Sequence, residues 1–167
     1  RKELTGRTFA VGEDARTLAD ELEQAAERPL QQARSREPSP VFLFPGGGAQ
    51  HPGMGAVLYA HEPSFRSAVD ACLQAMPDDV RAAVRRTTFT GPPPTGAAEE
   101  LLRPQVALPA LFTVEYALAR TLLAFGVEPA AMIGHSLGEY VAACLCGTFS
   151  LGDALRVVGW RADLFAA

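Results

Sequence analysis

The 167-residue chain has no asparagine, one lysine (Lys2), one isoleucine (Ile133) and one tryptophan, against 14 arginines and 29 alanines. That bias marks a GC-rich coding sequence and says little about mechanism. A net charge of −4 argues against a nucleic-acid binder, which would normally show a basic face. The three cysteines, Cys72, Cys144 and Cys146, are too few and of the wrong parity for a disulfide framework. Cys144 and Cys146 lack the further ligands that a zinc site of about four donors needs, so no metal is expected. All three are expected to be small buried hydrophobes in a reducing, cytoplasmic setting. No uncharged apolar run reaches about 18 residues, so no membrane span is expected. The chain also lacks an initiator methionine and a terminal targeting signal, and it reads as a piece of something longer.

What is present is the composition of a folded domain: 48% hydrophobic and 20% charged residues, in a length suited to about one domain of ~150 residues. Residues 12–28 carry Ala15, Leu18, Ala19, Leu22 and Ala25 at helical spacing. Pro29 and the polar stretch 31–40 follow and read as a linker, so residues 1–40 form an appended segment. Val41–Phe44 is a continuous apolar run ended by Pro45 and Gly46-Gly47-Gly48, the pattern of a buried strand running into a tight loop. Helices are expected from Pro63 (Phe65, Val69, Cys72, Leu73, Met76) and over 78–86, with a surface loop at 87–98. A long buried helix is expected over 105–125, with Leu108, Leu111, Phe112, Leu118, Leu122 and Phe125 on its inner side and Gly126 at its end. Residues 130–133 read as a second strand, 137–146 as a helix. A last helix begins at Ser150, where Asp153 completes a variant capping box, with Leu151, Leu155, Val158 and Leu164 inward. Strand, helices, strand, helix, helix is the order of an α/β fold with a parallel sheet, whose ligand crevice lies at the carboxyl ends of the strands.

The chemistry sits there. Gly134-His135-Ser136-Leu137-Gly138 is G-x-S-x-G between a strand and a helix, which exposes the serine hydroxyl on a sharp turn. The Leu137 N–H opens the following helix and points where an oxyanion would form, so Ser136 is the candidate nucleophile. The Pro45–Gly48 loop is the candidate source of a second donor; it is no phosphate loop, since neither G-x-x-x-x-G-K-[ST] nor G-x-G-x-x-G fits it. A serine needs a base. His135 adjoins Ser136 in sequence, where neighbouring side chains diverge, and His51 and His61 lie upstream. None of the 31 residues after Ser136 is histidine. Arg161 and Arg156, on the last helix, are equal candidates for bidentate capture of a carboxylate.

Four segments in order, Phe44-Pro45-Gly46-Gly47-Gly48-Ala49-Gln50, Pro52-Gly53-Met54-Gly55, Gln105–Phe112 and Gly134–Tyr140, resemble the acyltransferase domain of type I modular polyketide synthases. Malonyl-CoA:acyl carrier protein transacylases are close relatives of that family. The resemblance covers 41–167 as the N-terminal part of the domain. Residues 1–40 resemble the end of the ketosynthase-to-acyltransferase linker. It implies an incomplete α/β-hydrolase-like core without its small subdomain, and a transfer in which Ser136 takes a malonyl-type acyl group from a coenzyme A thioester. The acyl group then passes to the phosphopantetheine of an acyl carrier protein. It assigns the oxyanion donors to the Gly47 and Leu137 N–H groups and the extender carboxylate to Arg161, and it puts the catalytic histidine beyond Ala167. Many members have Gln where this chain has Gly47. A hydrophobic residue at Leu137 resembles malonyl-type domains. No bound cofactor is implied; the partners implied are the carrier protein, the ketosynthase and the rest of the domain. A serine esterase or thioesterase, and a non-catalytic piece of a megasynthase, are the competing readings.

Overall fold

Two short apolar runs set the frame. In the computed structural model, which describes residues 6–29, 31–32 and 40–166, strands β3 (Val41–Phe44) and β4 (Ala131–Gly134) pair in parallel. Their register runs from Val41 opposite Ala131 to Phe44 opposite Gly134. The parallel pair flanked by helices is the α/β arrangement expected from the order of the elements. The strands differ from expectation in one respect. Phe42 and Phe44 are buried, but Val41, Leu43 and Ile133 are exposed, so among the described residues only one face of the sheet is covered.

The chain divides into two compact units, Arg1–Pro38 and Ser39–Ala167. In the first, α1 (Ala15–Glu27) is capped by Asp14, whose carboxylate accepts from the Thr17 N–H (2.8 Å). Strand β1 (Gly6–Arg7) pairs antiparallel with β2 (Gln31–Gln32). The expected linker is therefore strand at its start, and its remaining residues 33–39 lie outside the described ones.

In the second unit, α2 (Ala56–His61) is followed by α3 (Pro63–Gln74), with proline in its first turn and Glu62 capping it through Ser64. Helix α4 (Asp78–Val84) continues into a π-helical turn, Arg85–Phe89. Here the expected loop at 87–98 is wrong at both ends. Thr87, Thr88 and Phe89 are buried, and α5 (Ala97–Glu100) closes the stretch. The reason is side-chain hydrogen bonding within the turn: Thr87 Oγ1 donates to the Ala83 carbonyl (2.9 Å), which lets a threonine bury its hydroxyl.

Helix α6 (Pro104–Ala124) is the core helix, and α3, α4, α7 (Gly138–Leu145) and α8 (Leu151–Ala166) all pack on it. It is long and apolar enough to cross a membrane, yet most of it is buried inside the unit. The inner face is Leu108, Leu111 and Phe112; Leu118, Leu122 and Phe125 are exposed, contrary to the even apolar pattern. Gly126 ends the helix at φ 82°, a left-handed conformation that favours glycine. At α8, Ser150 Oγ accepts from the Asp153 N–H (3.1 Å), as the capping box requires. Its buried residues are Ala154, Leu155, Val158 and Ala162, while Leu164 is exposed. Cys72 and Cys144 are buried thiols, and burial pushes Cys72 up to about 12; Cys146 is exposed, against expectation.

Candidate active site

The carboxyl ends of β3 and β4 meet at residues 134–138. Ser136 is the one described non-glycine residue with positive φ, 54°, the strained turn expected of a nucleophile elbow. Close backbone packing holds it. A Cβ on Gly134 would collide with the backbone of Gly138 and Glu139, and one on Gly138 with the Phe44 carbonyl oxygen. The His135 N–H donates to that same Phe44 carbonyl (2.9 Å), tying the elbow to the end of β3. A Cβ on Gly46 would lie 2.7 Å from His135 Nδ1 and 3.1 Å from Ser136 Cβ, so the glycine loop abuts the elbow.

Gly47 is different. It is exposed, and a Cβ there would meet only Leu108 Cδ2, at an ordinary 3.5 Å. Steric need does not explain this glycine. Its N–H and that of Leu137 find no hydrogen-bond partner among the described residues. They belong to the two loops that meet beside Ser136. Two free donors next to an exposed hydroxyl, at the start of α7 where the helix dipole is positive, suit a developing oxyanion. The Leu137 side chain is fully buried in the core.

Arg161 reaches the serine. Its Nη2 donates to Ser136 Oγ (2.8 Å) and its Nη1 to the Tyr140 hydroxyl (3.2 Å). The guanidinium carbon lies 5.4 Å from the Tyr140 ring centroid and 5.0 Å from that of Phe165. Nε is buried without a partner among the described residues. A cation at hydrogen-bond distance favours the deprotonated form of a hydroxyl and stabilises negative charge on it. Glu139, the acid nearest to Ser136 in sequence, is exposed and forms no ion pair with Arg161 among the described residues.

Arg156, the rival cation, pairs with Asp153 (2.7 Å). It lies five residues back, about 140° around α8 from Arg161. With Trp160 and Asp163 it lines a groove of about 1000 Å³ that also runs along α4 and the start of α6. That groove contains neither Ser136 nor Arg161; the chemistry lies at the strand ends. None of the three histidines bonds Ser136: His51 is exposed beside the Pro52 carbonyl (3.3 Å), His61 ends α2, and His135, though exposed, lies with its ring edge toward Gly46.

Sequence reasoning missed the working parts of Tyr140, Phe165 and Gln50. Tyr140 lies in the first turn of α7, just past the elbow, and Phe165 stands four residues after Arg161 on α8, the spacing that puts helical side chains on one face. Gln50 Oε1 accepts from the Gly48 N–H (2.8 Å) and its Nε2 donates to the Leu101 carbonyl (3.3 Å), which fixes the glycine loop.

The acyl transferase domain family matches residues 41–167. A phenolphthiocerol/phthiocerol polyketide synthase protein of Mycobacterium tuberculosis is 46% identical over 124 residues, 74% of this chain and 8% of that protein. The acyltransferase domain from the second module of the salinomycin polyketide synthase superimposes with a TM-score of 0.81 at 36% identity, covering 98% of this chain and 38% of that one. The malonyl CoA-acyl carrier protein transacylase of Clostridium perfringens does so at 0.62 and 28%, covering 75% and 37%. The chain thus spans well under half of the length of each relative it matches. With the elbow, its glycines and its arginine in place, the chain belongs to the acyl transferase domain family, in the form carried by polyketide synthases.

Proposed function

We propose that this chain is the serine-bearing part of an acyltransferase that moves a malonyl-type extender from coenzyme A to an acyl carrier protein in polyketide biosynthesis. The observation that carries the reading is the Arg161 guanidinium on Ser136 Oγ at 2.8 Å. A hydrolase acting on neutral acyl groups has no use for a fixed cation there, whereas an extender with a free carboxylate does. The likeness to a malonyl CoA-acyl carrier protein transacylase supports the same substrate class.

In the first half-reaction Ser136 Oγ attacks the thioester carbonyl carbon. The C–O bond forms, the C–S bond breaks, and the serine proton passes through a base to the departing coenzyme A thiol. The carbonyl oxygen takes the negative charge of the tetrahedral intermediate, facing the N–H groups of Gly47 and Leu137. In the second, the phosphopantetheine thiol of the carrier attacks the ester, the C–O bond breaks and the hydroxyl is restored. The base is a histidine beyond Ala167, the position that the resemblance implies. Residues 1–40 serve as the end of a ketosynthase-to-acyltransferase linker, a reading supported by the separate compact unit Arg1–Pro38 ahead of the residues that the family matches. The setting is cytoplasmic, in keeping with three cysteines free of disulfides.

The test is acyl-enzyme formation by the intact domain from malonyl-CoA and from propionyl-CoA. Removing one partner of a bidentate charge pair costs about 2–5 kcal/mol. Arg161→Ala therefore lowers malonyl loading at least tenfold (about 1.4 kcal/mol per factor of ten) relative to propionyl loading. Arg156→Ala leaves the ratio as it was. Equal effects of the two substitutions would contradict the assignment.

A further inference from the structure

A guanidinium that reads a substrate carboxylate has to be held in one pose before the substrate arrives, or the ordering of a long, rotamer-rich side chain is taken out of binding. Helix α8 fixes the Cα of Arg161 and no more. Its pose is set by what lies against its head. Tyr140 offers a ring face at 5.4 Å and a hydroxyl that accepts from Nη1 at 3.2 Å. Phe165 offers a second ring face at 5.0 Å. Both distances are within cation–π reach. The two rings come from different helices, Tyr140 in the first turn of α7 and Phe165 one turn beyond Arg161 on α8. The nucleophile and the cation are thus tied to each other through Tyr140 as well as directly. Nε is buried and unpartnered among the described residues, so every hydrogen bond the head makes there comes from Nη1 and Nη2.

We propose that Tyr140 and Phe165 form an aromatic clamp that positions Arg161 and thereby sets how strongly the site prefers acyl thioesters bearing a free carboxylate. Neither residue touches the reacting atoms; both are positioning residues, and the inference rests on the reading of Arg161 as the carboxylate's partner. A dicarboxylic acyl group offers the Nη groups an anion in exchange for the Ser136 hydroxyl. A monocarboxylic one offers nothing, and the clamp keeps the guanidinium on the serine. Loosening the clamp weakens the first case, through poorer capture of the carboxylate, and relaxes the second.

The experiment compares kcat and KM for acyl-enzyme formation from malonyl-CoA and propionyl-CoA in the intact domain, for Tyr140→Phe, Tyr140→Leu, Phe165→Leu and Arg161→Ala. Tyr140→Leu removes hydroxyl and ring face together, and the malonyl-to-propionyl ratio of kcat/KM falls about tenfold, cation–π and charged hydrogen bonds each being of that order. The fall lies mainly in the malonyl KM. Tyr140→Phe keeps the ring and falls less. Phe165 is an exposed residue in the last turn of α8, so Phe165→Leu tests the clamp without touching the core and lowers the ratio in the same sense. A general packing defect would lower kcat for both thioesters alike and leave the ratio unmoved, which overturns the proposal. If Arg161→Ala collapses the ratio while all three clamp variants hold it within about twofold, too small a change for lost cation–π contacts, the clamp fails and the reading of Arg161 stands. If Arg161→Ala keeps the malonyl preference, both fail together.

Discussion

Ser136 sits at φ 54° because three glycines around it allow close packing, and the five glycines of the two loops are not equivalent. Gly134 and Gly138 have backbone atoms where a Cβ would go, and Gly46 has the His135 ring and Ser136 itself. Backbone cannot move aside as a side-chain tip can. Gly134→Ala and Gly138→Ala should each cost about 1–3 kcal/mol or more, the usual penalty of overpacking. Gly47 is exposed with open space before it, so Gly47→Gln should stay within about 0.5 kcal/mol of the parent. Thermal denaturation of the intact domain measures all three; a Gly47→Gln loss as large as that of Gly138→Ala would contradict the geometry. The retained backbone N–H at position 47 also predicts that Gly47→Gln keeps acyl-enzyme formation. Ser136, Gly134 and Gly138 were legible in the sequence because the elbow is a local motif. The Arg161 contact was not fixed by sequence alone, since Arg156 fits the same helix; the resemblance chose between them, and the capping box explains where Arg156 went. It pairs with the capping Asp153, three residues before it.

At the scale of elements, α6 holds a feature that the mechanism leaves unused. Glu115 is almost fully buried, both carboxylate oxygens lack a partner among the described residues, and burial raises its carboxyl to about 8. An unfolded glutamate titrates near 4.3. Between those values the folded chain holds a proton that the unfolded chain has released. Stability is therefore fully supported below about pH 4 and declines as pH rises through about 8. Glu115→Gln keeps the shape and cannot ionise, so its melting temperature should fall less between pH 6 and pH 9 than that of the parent. Parallel curves would show that Glu115 is charged and paired in solution. Periodicity found α6 but misjudged its faces. A helix apolar on all sides gives no preferred inner stripe, so Leu118, Leu122 and Phe125 looked as buried as Leu108 and Leu111. The 85–89 turn was missed for a different reason. Paired threonines and a proline-rich neighbourhood read as loop by composition, while hydrogen bonding of Thr87 to the turn before it makes burial acceptable. On α8 the small residues Ala154 and Ala162 take the core positions, where hydropathy favoured Leu164.

Over the whole molecule, the second unit leaves Val41, Leu43 and Ile133 of the sheet and Leu118, Leu122 and Phe125 of α6 in contact with solvent. Apolar faces of that extent are unusual on a self-sufficient monomer. Expressed as these 167 residues, the protein should bind a hydrophobic dye strongly, and Leu43→Thr with Ile133→Thr should reduce that binding; no change would mean that the sheet face is covered in solution. The same 167 residues should form no acyl carrier product, because nucleophile and base act as a unit and no described histidine bonds Ser136. Transfer at the rate of the intact domain would assign the base to His51, His61 or His135. The central claim is that Ser136 carries the acyl group. Its most direct measurement is mass mapping of the intact domain after brief exposure to malonyl-CoA. One malonyl adduct is expected, on the peptide containing Ser136, absent in Ser136→Ala and discharged by a carrier protein bearing free phosphopantetheine. An adduct that persists in Ser136→Ala, or that maps to Cys146 or another residue, would contradict it.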